Sequence, residues 1–249
     1  MTQPLNNITK RRNIMPVIIG VVVGVTCFVL LQTASCSNVS CFLWNLHTPK
    51  LPVVKQSRTL EPFTKIQVSS AVQVTFIPGP AGTAVVETHE DLQDDLRTDV
   101  INGTLSIGLR GSHSNVKKTA VELPVERLEK ISVSSAASLV GEDTIEADDL
   151  AIDVSSAGRI RLAVAAKRLT GHASSAAKMT LSGSAESGDF HASSAARIEA
   201  GQLNMNSCKI DASSAASVAV GETKELQISK SSAGSVHYQG TPQVRDRSM

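Results

Sequence analysis

The sequence predicts an all-β chain, a parallel β-helix behind an N-terminal transmembrane or signal helix. Three observations point there. First, the phrase Ser-Ser-Ala recurs six times, with its first serine at 134, 155, 174, 193, 213 and 231, in steps of 21, 19, 19, 20 and 18 residues. A near-constant period of this size marks a solenoid, and six copies exceed the roughly three such a fold needs to bury its faces. Second, inside each unit the apolar residues alternate with polar ones: Ile152, Val154, Ile160 and Leu162 fall on one face, Asp153, Arg159 and Arg161 on the other. Alternation at every second residue means strand, not helix. Third, hydrophobic residues make up 41% of the chain but aromatics only 3%, so the core must be built from Val, Ile, Leu and Ala in thin layers.

The first segment differs in kind. Lys10, Arg11 and Arg12 precede an uncharged apolar run from Ile14 to Leu31. Its 18 residues stand at the short end of the about 17–25 that span a bilayer. The basic cluster predicts residues 1–13 in the cytoplasm and the remainder outside, with 14–34 as the anchor or signal segment. Three readings stay open: an uncleaved anchor, a cleaved signal, or a lipoprotein signal in which Cys36 of "TASC" is acylated, although Thr33 stands where Leu is usual. Each places residues 45–249 in the periplasm or at the cell surface. Cys27 lies in the apolar run. Cys36 and Cys41 flank the membrane and could pair with each other. Cys208 is alone in the exported part, which is therefore not stapled by disulfides.

Residues 35–62, with little periodicity and prolines at 49 and 52, read as a linker. From Phe63 to Ile77 the alternation begins, with Ile66, Val68, Ser70, Val72, Val74 and Phe76 in one parity. "PGPAG" at 78–82 is a turn and 83–89 a strand. Leu92 and Leu96, four apart, suggest a short helix over 90–98. Asn102-Gly103 between apolar runs is a strong hairpin signal, and 119–125 is another strand. The repeat then occupies the chain to about residue 240, leaving 241–249 as a loose tail. In the repeat, the second serine of each pair (135, 156, 175, 194, 214, 232) has the parity of the inward residues, beside Ala or Gly, and the first faces outward. The phrase thus reads as a packing device at a narrow corner. Lys230 holds the inward position of Val133, Val154, Ala173, Ala192 and Ala212, so the coil is expected to be capped or to fray there, with the lysine stem reaching solvent. Cys208 shares the parity of Ile210 and Ala212 and is expected as a buried thiol.

These residues resemble the head GIN domain family of bacterial auto-transporter adhesins over about 63–240. "FTKIQVSSAVQVTFIPG" is similar to the family's opening strands, "LRTDVINGTLSI" to its hairpin, "VELPVERLEKISVSSAASL" to its entry into the coil, and "SSAGSVHYQGTPQV" to its close. The resemblance implies a parallel β-helix, expected to be right-handed, on an exported and often membrane-anchored protein. It supplies no functional residues. This chain departs from the pattern by using Ser-Ala where many relatives carry Gly.

Catalytic constellations are scarce. Ser175-x-x-Lys178 fits a serine-hydrolase spacing, but on a strand residues three apart face opposite sides. The acidic run 142–149 could bind calcium, yet it lacks the Asp/Asn-Gly loop pattern and reads as a solvated loop. His89 with Glu90 has no second histidine at zinc-motif spacing. A polysaccharide-cleaving β-helix would need acids in a cleft with aromatic platforms, and Trp44 and Tyr238 are poor candidates. No cofactor motif is present, and a net charge of +1 gives no reason to expect nucleic acid. The expectation is a non-catalytic, adhesin-like binding module, with the alternatives of a structural envelope spacer or, behind it, a polysaccharide-active enzyme; ice binding through the serine column ranks lower still, because Ser lacks the Thr methyl. The sharpest site candidate is a column of cations, Arg159, Lys178 and Arg197, at the same outward position on consecutive coils. It would suit acidic glycans or lipid phosphates, or a protein ligand. The nearby outward residues Asp153, His172, His191 and Asp211 would add positive charge below about pH 6.5 through the two histidines.

Overall fold

The computed structural model describes residues 51–111 and 119–248. The apolar run 14–34, the flanking cysteines with Cys36, and the first part of the linker lie outside these residues. Among the described residues no helix is long and apolar enough to cross a membrane.

Fifteen strands join in one sheet system. β1 (Val53–Thr59), β2 (Lys65–Val68), β3 (Gln73–Ile77), β4 (Thr83–His89), β5 (Leu96–Ile101), β6 (Thr104–Leu109) and β7 (Ala120–Pro124) form the N-terminal end. β8 (Lys130–Val133), β9 (Ser138–Val154), β10 (Arg159–Ala173), β11 (Lys178–Ala192), β12 (Arg197–Ala212) and β13 (Ser217–Lys230) are the solenoid body. β14 (Ser235–Gln239) and β15 (Gln243–Asp246) complete the last coil. From β9 to β13 each strand pairs in parallel with the next, so the predicted β-solenoid is the fold. Each coil is one long strand that goes around the core and meets the next coil through a tight turn.

That turn is the Ser-Ser-Ala phrase. The second serine and the alanine both sit at positive φ, near +50° and +60°, as in Ser156 (48°) and Ala157 (60°). The residue after the alanine donates to the first serine's carbonyl, as Gly158 N–H does to Ser155 O at 2.8 Å. Two left-handed central residues closed by such a bond define a type I′ turn. Adjacent turns are tied by a second ladder: Ala71 N–H to Ser135 O, Ala136 to Ser156, Ala157 to Ser175, Ala176 to Ser194, Ala195 to Ser214 and Ala215 to Ser232, at 2.9–3.0 Å. Donor and acceptor belong to the same peptide unit in every turn, so one column of aligned peptides runs along the ridge. The turn backbone of neighbouring coils is thereby satisfied along the ridge.

The inward placement of the second serine is overturned. Ser135, Ser156, Ser175, Ser194, Ser214 and Ser232 are exposed at the turn tips, as are the alanines that follow, and the first serine is half-buried in every copy but the last, where Ser231 is exposed. The parity count fails because the two tip residues leave the strand; alternation resumes in the same phase after them, with Ala137, Gly158, Ala177, Ala196 and Ala216 buried. A seventh copy, Ser69-Ser70-Ala71, precedes the six and stacks on them. The sequence reading treated it only as strand.

The uneven steps have a local cause. The pairing slips between Gly141 and Thr144, between Thr180 and Ser182, and between Ala200 and Met205. Insertions are thus confined to the run after the turn, while the turns and the run before them stay in register. The acidic run 142–149, expected as a loop, lies within β9, where Ile145 and Leu150 are buried and hold the strand to the core.

Three other expectations change at the ends. The linker assignment for 35–62 gives way to β1 over Val53–Thr59, which pairs antiparallel with β4. Its exposed edge buries little, so no apolar period betrays it. Half-buried Arg58 anchors it, donating to the carbonyls of Gln93 and Leu96, to Gln93 Oε1 and to Thr98 Oγ1. The helix expected over 90–98 is a single 3₁₀ turn at Glu90–Leu92 followed by β5; Leu92 and Leu96 are both buried, but in succession rather than on one helix face. The loose tail holds β15, which pairs with β13 and brings Asp246 Oδ2 to 3.5 Å from Lys230 Nζ. Lys230 is half-buried, so its stem leaves the core toward that carboxylate. The Asn102-Gly103 hairpin stands as expected, with both residues at positive φ between β5 and β6.

The core is one continuous apolar cluster from Leu60 to Ile228. Phe190 is its large ring among the coils, and Cys208 packs beside it as a small hydrophobe, 3% exposed.

Candidate functional site

The run after each turn presents two outward columns. The first reads Gln73, Ser138, Arg159, Lys178, Arg197, Ser217 and Ser235; the second reads Thr75, Val140, Arg161, Thr180, Glu199, Ala219 and His237. Arg159, Lys178 and Arg197 are therefore in register on consecutive coils, with adjacent strands about 4.8 Å apart. The geometry adds Arg161, two residues from Arg159 on the same face. Its signal was legible, since Arg159 and Arg161 share outward parity.

Directly stacked like charges destabilise a sheet. Relief is local: Lys178 Nζ lies 2.9 Å from Glu199 Oε2, and Thr180 Oγ1 donates to the same oxygen at 3.4 Å. Arg159, Arg161 and Arg197 make no ion pair among the described residues. Four cations thus share one carboxylate on an exposed, flat face, and three guanidinium groups keep their full donor sets for planar oxyanions.

Asp153, His172, His191 and Asp211 do not join this face. They lie on the run before the turn, one above the other. The rings of His172 and His191 stack with centroids 4.9 Å apart. The neighbouring outward column carries Asp189 and Lys209. Register was needed to see this grouping; the sequence signal was the shared offset of "DFHASS" and "KIDASS" from their turns.

A third surface follows the wide bend of each coil, a shallow open groove of about 1700 Å³ that includes Ala147, Ala166, Ala185, Met205 and Thr223. Asp148 pairs with Lys167 at 2.7 Å and Asp149 with Arg168. Each carboxyl is held below its ordinary range by the hydrogen bond from its cation. These groups are fully solvated, and the two pairs cancel within themselves, but Glu126, Glu129, Glu146, Glu186 and Glu222 also line the groove against Arg127 and Lys224, so it stays acidic.

The catalytic spacing Ser175–Lys178 dissolves: Ser175 is at an exposed turn tip and Lys178 opens the next strand, paired with Glu199 rather than with a serine. Burial pushes the Cys208 thiol up to about 12, with the Asp189 charge adding to it, so it is no nucleophile at neutral pH.

The chain is thus a β-solenoid with an exposed cationic column and an open, acidic groove. The chain belongs to the family described as "putative auto-transporter adhesin, head GIN domain", whose model matches residues 62–242. Its fold is similar to a crystal structure described as a putative adhesin from Bacteroides fragilis NCTC 9343, with TM-score 0.74 and 18% identity over 81% of this chain and 94% of that one. It is also similar to a putative adhesin from Parabacteroides merdae ATCC 43184, with TM-score 0.68 and 17% identity over 82% and 96%. A third similar structure, described as a putative lipid binding protein from Parabacteroides distasonis ATCC 8503, gives TM-score 0.65 and 16% identity over 81% and 95%. No curated protein matches the chain.

Proposed function

We propose that this chain is an exported, membrane-anchored and non-catalytic binding module whose solenoid presents the Arg159–Arg161–Lys178–Arg197 face to anionic groups of the envelope or of a surface glycan. The observation that carries the reading is the in-register column of cations with a single carboxylate for compensation. Such a column lowers the stability of the sheet, and a bound row of phosphates or sulfates would offset that. The "adhesin" and "lipid binding" descriptions of the similar structures are compatible with a polyanionic ligand of either kind. The anchoring rests on the apolar run 14–31 behind Lys10, Arg11 and Arg12.

The test is binding of the exported part to heparin and, separately, to vesicles with 30% anionic lipid, over a salt titration. The triple variant R159S/K178S/R197S is expected to lose salt-sensitive binding to at least one of them and to become slightly more stable. If the triple variant binds both as well as the parent does, the face is only solvated and the spacer alternative replaces this reading.

A further inference from the structure

On the run before the turns, Asp189 and His191 of β11 and Lys209 and Asp211 of β12 occupy a two-by-two patch, since Asp189 pairs with Lys209 and His191 with Asp211 across the ladder. One ligand atom from each of Asp189, His191 and Asp211 falls within 4.8 Å of the others. His191 Nε2 is 3.0 Å from Asp189 Oδ1 and Nδ1 is 3.1 Å from Asp211 Oδ2. Yet Asp189 Oδ1 is shielded from water and accepts no hydrogen bond. Its proximity to the imidazole therefore does not satisfy it. The nearest cation to the two carboxylates is the Lys209 ammonium, 3.2 Å from Asp211 Oδ2 and 3.9 Å from Asp189 Oδ1, and its single charge balances only one of them. Both carboxylates push that lysine's proton affinity up. The patch already attracts a cation, and it carries an orphaned carboxylate oxygen beside an imidazole.

We infer that Asp189, His191 and Asp211 form a divalent transition-metal site that bridges two coils. The ligand set selects the metal. One imidazole nitrogen with two carboxylate oxygens suits Zn²⁺, Co²⁺ or Ni²⁺, whereas Mg²⁺ and Ca²⁺ prefer oxygen alone. Three protein ligands leave a coordination position for water or for an oxygen of a bound partner. All three side chains are 35–43% exposed, so an ion reaches them without opening the coil. Lys209 is the competitor: a dication must displace its ammonium, which limits affinity and makes Lys209 the tuning residue. Cys208, next to Lys209, is buried on the inward side and takes no part. Because β11 and β12 each supply a ligand, metal would also clip adjacent coils together. This inference is independent of the cationic face, which lies on the run after the turn.

The experiment is calorimetric titration of ZnCl₂ and NiCl₂ into residues 47–249, the compact unit, with melting temperature followed in parallel. The parent is expected to bind about one ion per chain and to melt at higher temperature with metal. His191→Ala is expected to weaken binding by more than about 100-fold, since losing even an outer-shell partner typically costs about 10–100-fold. Lys209→Met is expected to tighten it. His172→Ala, which keeps all three ligands, is expected to retain binding and controls for general loss of surface histidine. No saturable binding by the parent and by Lys209→Met, or binding unchanged in His191→Ala, overturns the site.

Discussion

Phe190 offers a demanding test of how this core is packed. The inward column through it reads Ile152, Gly171, Phe190, Ile210 and Ile228, and the neighbouring column Leu150, Leu169, Gly188, Cys208 and Leu226. The ring is fully buried. A Cβ on Gly171 would stand 2.7 Å from Phe190 Cδ1 and 3.0 Å from Cε1, with Met179 Sδ at 3.2 Å; one on Gly188 would meet Met205 Sδ at 2.6 Å and Phe190 Cε2 at 3.1 Å. The two glycines are the space the ring occupies. Gly171→Ala must push a rigid ring into a packed layer, which costs about 1–3 kcal/mol, less the 0.5–1 kcal/mol regained by removing a strand glycine. The expected loss is about 1–2 kcal/mol. Phe190→Leu alone leaves unfilled space beside Gly171 and costs about 1–2 kcal/mol, less than the roughly 3–5 of a full truncation to Ala. In the double variant the new methyl enters the space the ring gave up. Urea denaturation of the four proteins should then show a favourable coupling of about 1 kcal/mol, within the 0.5–3 typical of residues in contact. Additivity within about 0.3 kcal/mol, or a Gly171→Ala protein more stable than the parent, would refute the reasoning.

Three further outcomes are expected. At the turns, Ala176 sits at φ 59°; Ala176→Gly should be near neutral or stabilising by up to about 1 kcal/mol, while Ala176→Val should lose more than about 1 kcal/mol because a branched Cβ fits left-handed backbone poorly, and equal effects in thermal melts would count against the type I′ assignment. Burial holds the Cys208 thiol neutral up to about pH 12 in the folded chain, whereas the unfolded chain ionises from about 8.5; the stability this contributes is complete below about pH 8.5 and is lost as pH rises toward 12, so Cys208→Ala should flatten the alkaline decline in melting temperature, and native protein at pH 7.5 should resist a bulky maleimide. Removing residues 241–249 deletes β15 and the Asp246 partner of Lys230; hydrogen exchange should then accelerate in β13 over Glu225–Lys230 and leave β10 and β11 protected, since each coil touches only its neighbours, and uniform acceleration would disprove that local capping role.

The period of the serine phrase and the two-residue alternation determined the solenoid, because a strand repeating at near-constant length can bury its apolar face only by stacking on its copies. The same register logic placed Arg159, Lys178 and Arg197 in one column, for a coil transmits sequence offset into spatial alignment. The buried Cys208 and the Asn102-Gly103 hairpin were legible for equally local reasons. What parity could not see was the turn: strand alternation assumes every residue belongs to a strand, and the two left-handed residues at each tip break that assumption without changing the phase, so exposed Ser156 looked like its buried neighbours. Edge strands β1 and β15 were hidden because their pairing is carried by backbone hydrogen bonds with little apolar burial. The segregation of His172 and His191 from the cations, and their grouping with Asp189, Lys209 and Asp211, was decided only in three dimensions. It depends on which run of the coil a residue occupies and on bulges that keep the run before the turn in register while the run after it absorbs the insertions.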